Sequence, residues 1–192
     1  MPSSTTKTIE IRRHAERHKP GYNLNARGVA RARNASARDR EFALIVTSPL
    51  PRAVQTAVAM GHGVDEEDWT MASMGGALND FPWDVSFDAM QRAIRTNPTA
   101  GAWATYLTAQ MRSWLTRIDP GESLFVVNHG GIAEACAIGL LGDSDATALG
   151  PSLDYCEGVR LEIDGDRVIG LRVLRFDGNN EVEIDPGIPD RP

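Results

Sequence analysis

The stretch ALIVTSPLPRAVQTA, residues 43–57, decides the fold class, because a buried strand runs directly into a helix there. Residues 43–47 form a short, continuous apolar run, which is typical of a strand covered on both faces of a sheet. The helical pattern that follows covers residues 50–60 and ends at Gly61-His62-Gly63. A strand followed at once by a helix predicts an α/β protein.

The same alternation continues outward from this stretch. Residues 8–12 alternate like a strand, and residues 123–127 form a second continuous apolar run. Further helices are predicted at three places: residues 24–39 with Asn25 as the N-terminal cap, residues 100–117, and the apolar segment that follows Gly131 and reaches Leu141.

Strands separated by helices predict a three-layer α/β sandwich, with a mostly parallel central sheet, helices on both faces and an antiparallel edge. The edge comes from residues 160–175, which are typical of a hairpin that turns at residues 164–166. We expect residues 1–192 to form a single domain. Residues 61–98 have no clean period and are expected to form an irregular, lid-like excursion, and the tail from Asp177 is expected to fray.

The composition excludes several classes of protein. The chain has 192 residues, of which 42% are apolar and 24% charged, so wholesale disorder, collagen and coiled coil are excluded. Two cysteines are too few for a disulfide framework, which favours a reducing compartment. The first seven residues lack the apolar core of a signal peptide, and the longest apolar stretch, residues 132–141, is too short to span a bilayer. We therefore expect a cytoplasmic protein with no membrane partner.

The basic first third of the chain predicts an anion site. Residues 1–52 hold eleven Lys or Arg against four Asp or Glu, whereas the rest of the chain is acidic. These arginines are spread over a predicted strand, loop and helix without interleaved aromatic residues, so we expect no nucleic-acid partner. Arginine is the better residue for forked recognition of phosphate or carboxylate.

Reactive residues follow three of the predicted strands. They are residues 13–16 (RHAE), residues 48–52 (SPLPR) and residues 128–131 (NHGG). Ligands of open α/β sheets bind beyond the carboxyl ends of the strands, so two histidines and two arginines should converge on one crevice. Two guanidinium groups can hold the oxygens of a phosphoryl group, one neutral imidazole can attack the phosphorus, and the second, if protonated, can donate to the oxygens. This set is consistent with phosphoryl transfer without a metal.

Four ordered motifs carry a resemblance to a known family: RHAE at residues 13–16, LNARG at 24–28, TSPLPRAVQTA at 47–57 and VNHGG at 127–131. They resemble the signatures of the histidine phosphatase superfamily, whose fold is that of phosphoglycerate mutase. The resemblance implies a phosphohistidine intermediate on His14, a phosphate pocket of Arg13, Arg52 and His129, a small-molecule phosphomonoester or phosphate as partner, and no cofactor or metal. Two residues depart from the family pattern: Ala15 stands where glycine is usual, and Arg17 where serine or threonine is usual.

The resemblance also implies a carboxylate that protonates the leaving group. The family usually carries it as glutamate some 25 to 30 residues beyond the second arginine, and the matching stretch here is Leu78-Asn79-Asp80. Asp80 is therefore the first candidate, and Asp84 is the alternative. The acidic run of residues 65–68 lies in the same excursion and would repel a highly anionic substrate if it faced the pocket.

Three alternative functions remain open at this point. His14 and His18, with Glu16 between them, would share a metal if they lay on a helix, although Pro20-Gly21 favours a loop. The departures at Ala15 and Asp80 are compatible with a phosphate-binding module that has lost catalysis. A phosphoglycerate mutase-type phosphotransferase is disfavoured because only about 75 residues separate Arg52 from His129. A metal-independent histidine phosphatase is the favoured function, and the oligomeric state is not predicted.

Overall fold

The structure is a computed structural model that describes residues 5–35, 40–74, 82, 85–178 and 180–187. Strands and helices alternate through its first two thirds, and strands alone follow. The strands are β1 (Thr6–Arg13), β2 (Leu44–Thr47), β3 (Glu66–Glu67), β4 (Ser123–Asn128), β5 (Gly158–Asp164), β6 (Arg167–Asp177) and β7 (Asn180–Ile184). The helices are α1 (Ala26–Arg33), α2 (Pro51–Ala59), α3 (Phe87–Thr96), α4 (Pro98–Leu115) and α5 (Ile132–Leu141).

All seven strands form one sheet in the order β3-β2-β4-β1-β5-β6-β7. The first four in this order are mutually parallel, and β5, β6 and β7 are antiparallel to their neighbours. Arg13 pairs with Asn128, and Thr47 pairs with Val127, so β1, β2 and β4 end together at one edge of the sheet. The predicted α/β fold is confirmed, and its antiparallel part is one strand larger than the expected hairpin.

The central strand β4 shows how the two faces are covered. Leu124 and Val126 lie in a core cluster formed with α3, α4 and α5, whereas Phe125 and Val127 lie in a second cluster with α1 and α2. All four side chains are fully buried, and each such burial contributes about 1.5–3 kcal/mol. Helices therefore cover both faces of the sheet. In the described part of the chain, no helix is both long and apolar enough to cross a membrane.

Helix α1 is shorter than predicted. Asn25 caps its start as expected, because the side-chain oxygen accepts a hydrogen bond from the Gly28 N–H at 2.8 Å. The helix ends at Arg33, and the N–H of Asn34 closes it on the carbonyl of Ala30 at 3.2 Å. The Ala- and Arg-rich composition favours a helix over the whole predicted segment, but helix propensity alone does not determine the residue at which the helix ends.

The expectation of an irregular excursion over residues 61–98 is wrong at both ends of that segment. Residues Glu66–Glu67 pair with β2, and residues Phe87–Thr96 form a helix that begins at Ser86, whose hydroxyl accepts the Ala89 N–H at 3.3 Å. The sequence does carry a helical period here, because Phe87, Met90 and Ile94 lie three and four residues apart on the face that packs against the core. These ends belong to the sheet and core, and the lid remains a prediction for the segment between them.

The prediction that the tail frays from Asp177 is wrong, since Asn180–Ile184 forms β7. Ion pairs to distant arginines hold this strand. Glu181 binds the buried Arg12 at 2.6 Å, and Glu183 binds Arg160 at 3.0 Å. The alternation of residues 181–184 is typical of a strand and was the available signal, although Val182 and Ile184 are exposed in the structure.

Candidate active site

A pocket of about 320 Å³ opens where β1, β2 and β4 end. The described residues that line it come from the end of β1, the first turn of α2 and three loops, and they include four of the five predicted site residues. They are Arg13, His14, Arg17, Lys19, Arg52, His129, Gly130 and Tyr155. The parallel strand order brings them together, because it places the carboxyl ends of the strands at the same edge of the sheet.

Arg52 lies between the two histidines. Its Nε–H points at Nε2 of His14 at 3.1 Å and at Nδ1 of His129 at 3.2 Å, so one proton is shared between two acceptors. The imidazole rings face each other edge to face with their centroids 5.0 Å apart. A single guanidinium group therefore fixes the relative position of both rings.

The hydrogen bonds define the proton positions on both rings. Nδ1 of His14 lies 2.7 Å from the carbonyl oxygen of Ala15, which can only accept, so this nitrogen carries the proton. Nε2 of His14 then keeps its lone pair and is directed toward Arg52. In His129 the roles are reversed: Nδ1 accepts from Arg52, and the Nε2–H donates to the hydroxyl of Ser48 at 2.7 Å.

Both histidines are neutral at pH 7 in this structure. Burial, and after it the charges of Arg52 and Arg13, lower the pKa of His14 to about 3. Burial, followed by His14 and Arg52, lowers the pKa of His129 to about 2. A neutral imidazole is the nucleophilic form, so the electrostatics suit His14 for attack. A bound phosphate dianion would raise both pKa values, because an opposite charge nearby favours the protonated form.

Arg13 is held in a fixed position beneath Gly130. Its Nη1 donates to the carbonyl of Leu153 at 2.6 Å, and its guanidinium carbon lies 4.9 Å from the centre of the Tyr155 ring. A Cβ atom on Gly130 would lie 2.8 Å from that same carbon, closer than a side chain permits. Glycine at position 130 therefore allows the arginine to pass.

Helix α2 holds the loop that carries His14. The Ala15 N–H donates to the hydroxyl of Thr56 at 2.8 Å, and that hydroxyl donates to the carbonyl of Arg52 at 2.6 Å. Ala15 itself is fully buried in the α1 and α2 cluster, so the side chain that replaces the usual glycine fits the core. The TSPLPRAVQTA motif thus links the loop that carries His14 to Arg52.

The LNARG motif fixes the next part of the same loop. The side-chain amide of Asn25 donates to Glu16 at 2.9 Å, and the Asn25 N–H donates to the Glu16 carbonyl at 3.1 Å. A Cβ atom on Gly28 would lie 2.1 Å from that carbonyl oxygen. Glycine is therefore required where α1 passes the loop.

Two predictions from the sequence, the proton donor and the metal shared by His14 and His18, gain no support from the described residues. Asp80 and Asp84 lie outside the described residues, so the proton donor remains a prediction. Residues 14–18 form a loop rather than a helix, and His18 is exposed. The described residues contain no cluster of three or more His, Cys, Asp or Glu side chains that could hold a metal ion.

Two residues near the pocket were missed by sequence reasoning. Tyr155 lies in a loop with no motif, and its ring centre is 5.7 Å from that of His14. Glu134 is fully buried and accepts hydrogen bonds from the N–H groups of Gly131 and Leu153 at 2.6 and 2.9 Å. The spacing from Gly131 to Glu134 is that of a helix-start cap and was the available signal.

The sequence of residues 10–174 matches the model of the histidine phosphatase superfamily, branch 1. The chain belongs to this superfamily. Membership agrees with the four motifs and with the pocket at the strand ends. No curated protein sequence matches the chain significantly.

Solved structures of similar fold include phosphatases and a mutase. Mycobacterial glucosyl-3-phosphoglycerate phosphatase is 21% identical, with a TM-score of 0.56 over 88% of this chain and 97% of that one. Phosphoglycerate mutase from Bacillus anthracis is 16% identical, with a TM-score of 0.57 over 92% and 94% of the two chains. Phosphoserine phosphatase from Entamoeba histolytica, solved with 3-phosphoglyceric acid, is 15% identical, with a TM-score of 0.54 over 96% and 98%. At these identities the likeness shows the fold.

Proposed function

We propose that this protein hydrolyses phosphomonoesters through a phosphohistidine intermediate on His14. The observation that carries the proposal is the proton arrangement around Arg52. His14 is neutral, its proton is held on Nδ1 by Ala15, and its Nε2 lone pair lies within 3.1 Å of a guanidinium group. A nucleophile oriented by a hydrogen bond on its other nitrogen, next to a cation that binds the electrophile, is the arrangement that covalent catalysis requires.

In the first step, Nε2 of His14 forms a bond to phosphorus while the bond from phosphorus to the ester oxygen breaks. The guanidinium groups of Arg13 and Arg52 hold the non-bridging oxygens and stabilise their charge. The leaving oxygen takes a proton from a carboxylic acid, for which Asp80 is our candidate and Asp84 the alternative. The products are an alcohol and an enzyme phosphorylated on His14.

In the second step, water attacks the phosphorus and the bond from phosphorus to Nε2 breaks. The carboxylate formed in the first step accepts the water proton, so inorganic phosphate leaves and neutral His14 returns. His129 keeps Arg52 in place through Nδ1, and a phosphate dianion that raises the pKa of His129 would convert this nitrogen into a donor to the same oxygens.

The reaction as proposed needs no metal, because Arg13 and Arg52 supply positive charge at the transferring group. We expect turnover of a phosphomonoester to continue in EDTA. The measurement compares initial rates before and after chelation, and a rate that disappears and returns with zinc or magnesium would contradict this mechanism.

Phosphatases and a mutase share this fold, so phosphatase is proposed over mutase because only about 75 residues separate Arg52 from His129. The test incubates the protein with 32P-labelled phosphomonoesters and separates inorganic phosphate, phosphorylated acceptor and protein. Release of inorganic phosphate, with acid-labile label on wild type and none on His14→Ala, supports the proposal. Transfer of label to an alcohol acceptor would instead identify a mutase, and binding without turnover an inactive phosphate-binding module.

A further inference from the structure

The pocket holds more positive charge than a phosphoryl group requires. Among the described lining residues, Arg13, Arg17, Lys19 and Arg52 are cationic and none is acidic. A phosphomonoester dianion is balanced by the two guanidinium groups that the proposed mechanism uses. Arg17 and Lys19 are therefore two further charges at the same opening. Ligand pockets are more often lined by apolar and aromatic side chains. The additional positive charge of Arg17 and Lys19 therefore indicates an anionic ligand.

Arg17 is fixed at the rim by neutral partners. Its Nη1 donates to the main-chain carbonyls of His18 at 3.1 Å and Gly21 at 2.7 Å. These contacts hold the side chain but leave its charge uncompensated, and no ion pair joins it to a carboxylate within the part of the chain that the structure describes. Burial, and after it the like charge of Arg17, lower the pKa of Arg52.

The carboxylates closest in sequence are directed away from this pocket. Glu16 accepts from Asn25 and lies 3.7 Å from Arg27, and Asp154 binds Arg31 at 2.7 Å. Both line a separate depression against α1. The side chains next to Arg17 and Tyr155 that could have neutralised the pocket are therefore engaged elsewhere.

The acidic run at residues 65–68 does not oppose an anionic substrate. Asp65 accepts the Ile45 N–H at 2.8 Å, Asp68 accepts the Thr70 N–H at 2.6 Å, and Glu66 binds Arg117 at 2.6 Å. These contacts hold the run along β3 at the edge of the sheet, and none of its residues lines the pocket in the described structure. The repulsion that the sequence suggested is absent there.

We propose that Arg17 and Lys19 bind a second anionic group of the substrate, so that the substrate is a phosphomonoester with a separate carboxylate or phosphate. The inference rests on the proposed function, because it takes Arg13 and Arg52 to be occupied by the transferring phosphoryl group. A cleft of one charge sign concentrates ligands of the opposite sign, and a guanidinium fork recognises carboxylate and phosphate alike. Arg17, at a position where the family has a neutral hydroxyl residue, would confer this preference.

The test measures binding of three non-hydrolysable probes by calorimetry at pH 8 and constant salt. Propylphosphonate has a neutral tail, 3-phosphonopropanoate a carboxylate tail, and propane-1,3-diphosphonate a second phosphonate. A charge-assisted hydrogen bond predicts that at least one tailed anion binds about tenfold more tightly than propylphosphonate. The tail that gains affinity identifies the anionic group as carboxylate or phosphate.

The variants Arg17→Gln and Lys19→Gln should reduce the ratio between tailed and neutral probes about tenfold when combined. Arg33→Gln removes an exposed arginine of α1 that is not among the described lining residues and should leave the ratio unchanged. Equal affinities of the three probes for wild type would overturn the inference, as would a tail preference that survives in the double variant. Absence of any binding would overturn the inference together with the phosphate pocket.

A kinetic comparison separates the inference from the proposed function. The same ratio is measured as kcat/KM for the phosphate ester of 3-hydroxypropanoate against propyl phosphate. Hydrolysis of propyl phosphate without a preference for the carboxylate tail would contradict the anionic subsite and support the phosphatase activity. Tail-dependent binding without hydrolysis of any ester supports the subsite and refutes the phosphatase.

Discussion

The Nε–H of Arg52 is shared between Nε2 of His14, at 3.1 Å, and Nδ1 of His129, at 3.2 Å. This contact holds the proposed nucleophile, but it also occupies the lone pair that must attack phosphorus. The phosphoryl oxygens must therefore draw the guanidinium group away from His14 as the substrate binds. Arg52 thus couples anion binding to release of the nucleophile, and its substitution should affect both.

Replacing Arg52 by Ala should lower kcat/KM for nitrophenyl phosphate at least ~10²-fold, because arginine contacts to a transferring phosphoryl group have at least that effect. Arg52→Lys should recover only part of this loss, since an ammonium group lacks the planar fork. The measurement is steady-state kinetics together with the Kd of orthovanadate. Arg33→Ala is the matched control, and near wild-type activity of Arg52→Ala would show that the motif has been misread.

Replacing Gly130 by Ala should displace Arg13, because the new Cβ would lie 2.8 Å from a guanidinium carbon that Leu153 holds in place. We expect kcat/KM to fall roughly tenfold or more with a small change in Tm, by the general cost of misplacing a positioning group. Gly63→Ala is the control, since a Cβ there meets nothing within 4 Å.

A double-mutant cycle tests whether this effect passes through Arg13. If it does, Gly130→Ala should lower activity little further in an Arg13→Ala background, because the two changes remove the same interaction. Additive losses would mean that Gly130 acts through another contact.

The histidines should make the fold less stable in mild acid. Their folded pKa values, about 3 for His14 and about 2 for His129, lie below the ordinary value of 6.5. Below pH 6.5 the unfolded chain therefore binds protons that the folded chain does not, so the free energy of unfolding falls as the pH falls. Between pH 7 and pH 5 this amounts to about 2 kcal/mol for each histidine.

Urea unfolding at pH 7 and pH 5 measures this loss. His14→Gln and His129→Gln should each show a smaller loss than wild type, whereas His18→Gln, which alters an exposed loop residue, should match wild type. Added phosphate should also reduce the loss, because a bound dianion favours protonated imidazole. Identical losses in all four proteins would exclude the buried histidines as the cause.

Asp80→Asn should distinguish the proton donor from the nucleophile. An alkoxide leaving group with a pKa near ~15 needs a proton, whereas a nitrophenolate with a pKa near ~7 leaves almost unaided. The variant should therefore slow alkyl phosphates by ~10²-fold or more and still be phosphorylated by nitrophenyl phosphate, giving a burst of nitrophenol and an acid-labile phosphoenzyme. Equal slowing of both esters without a burst would remove Asp80 from the role and favour Asp84.

The sequence by itself determined the main elements and the site they build. Continuous apolar runs identify strands that are buried on both faces, and such strands are parallel and end at one edge of a sheet. Arg52 and His129 follow such strands, and Arg13 and His14 follow the alternating strand of residues 8–12, so their convergence required only local pattern and the rule that parallel strands share an edge.

The tertiary structure decided what depends on contacts between distant residues. Strand β7 pairs with β6, and its Glu181 binds Arg12, a residue far away in the chain, while α3 packs Phe87 and Met90 into the core. Both segments carry a local pattern, since residues 181–184 alternate and Phe87, Met90 and Ile94 share one helix face, but only the packed chain decides which distant residues they contact.

Within the site, too, some features follow from the sequence and others only from the tertiary structure. The order of the motifs in the sequence already predicts that His14 and His129 face one pocket. It does not predict that Arg52 shares its proton between them, that the Tyr155 ring lies beside His14, or that Arg17 binds carbonyls and no carboxylate among the described residues. Each depends on the direction of a side chain and on which residues the neighbouring carboxylates bind. Hydrogen bonds and ion pairs are short-ranged and directional, so they are fixed only when the whole chain has packed.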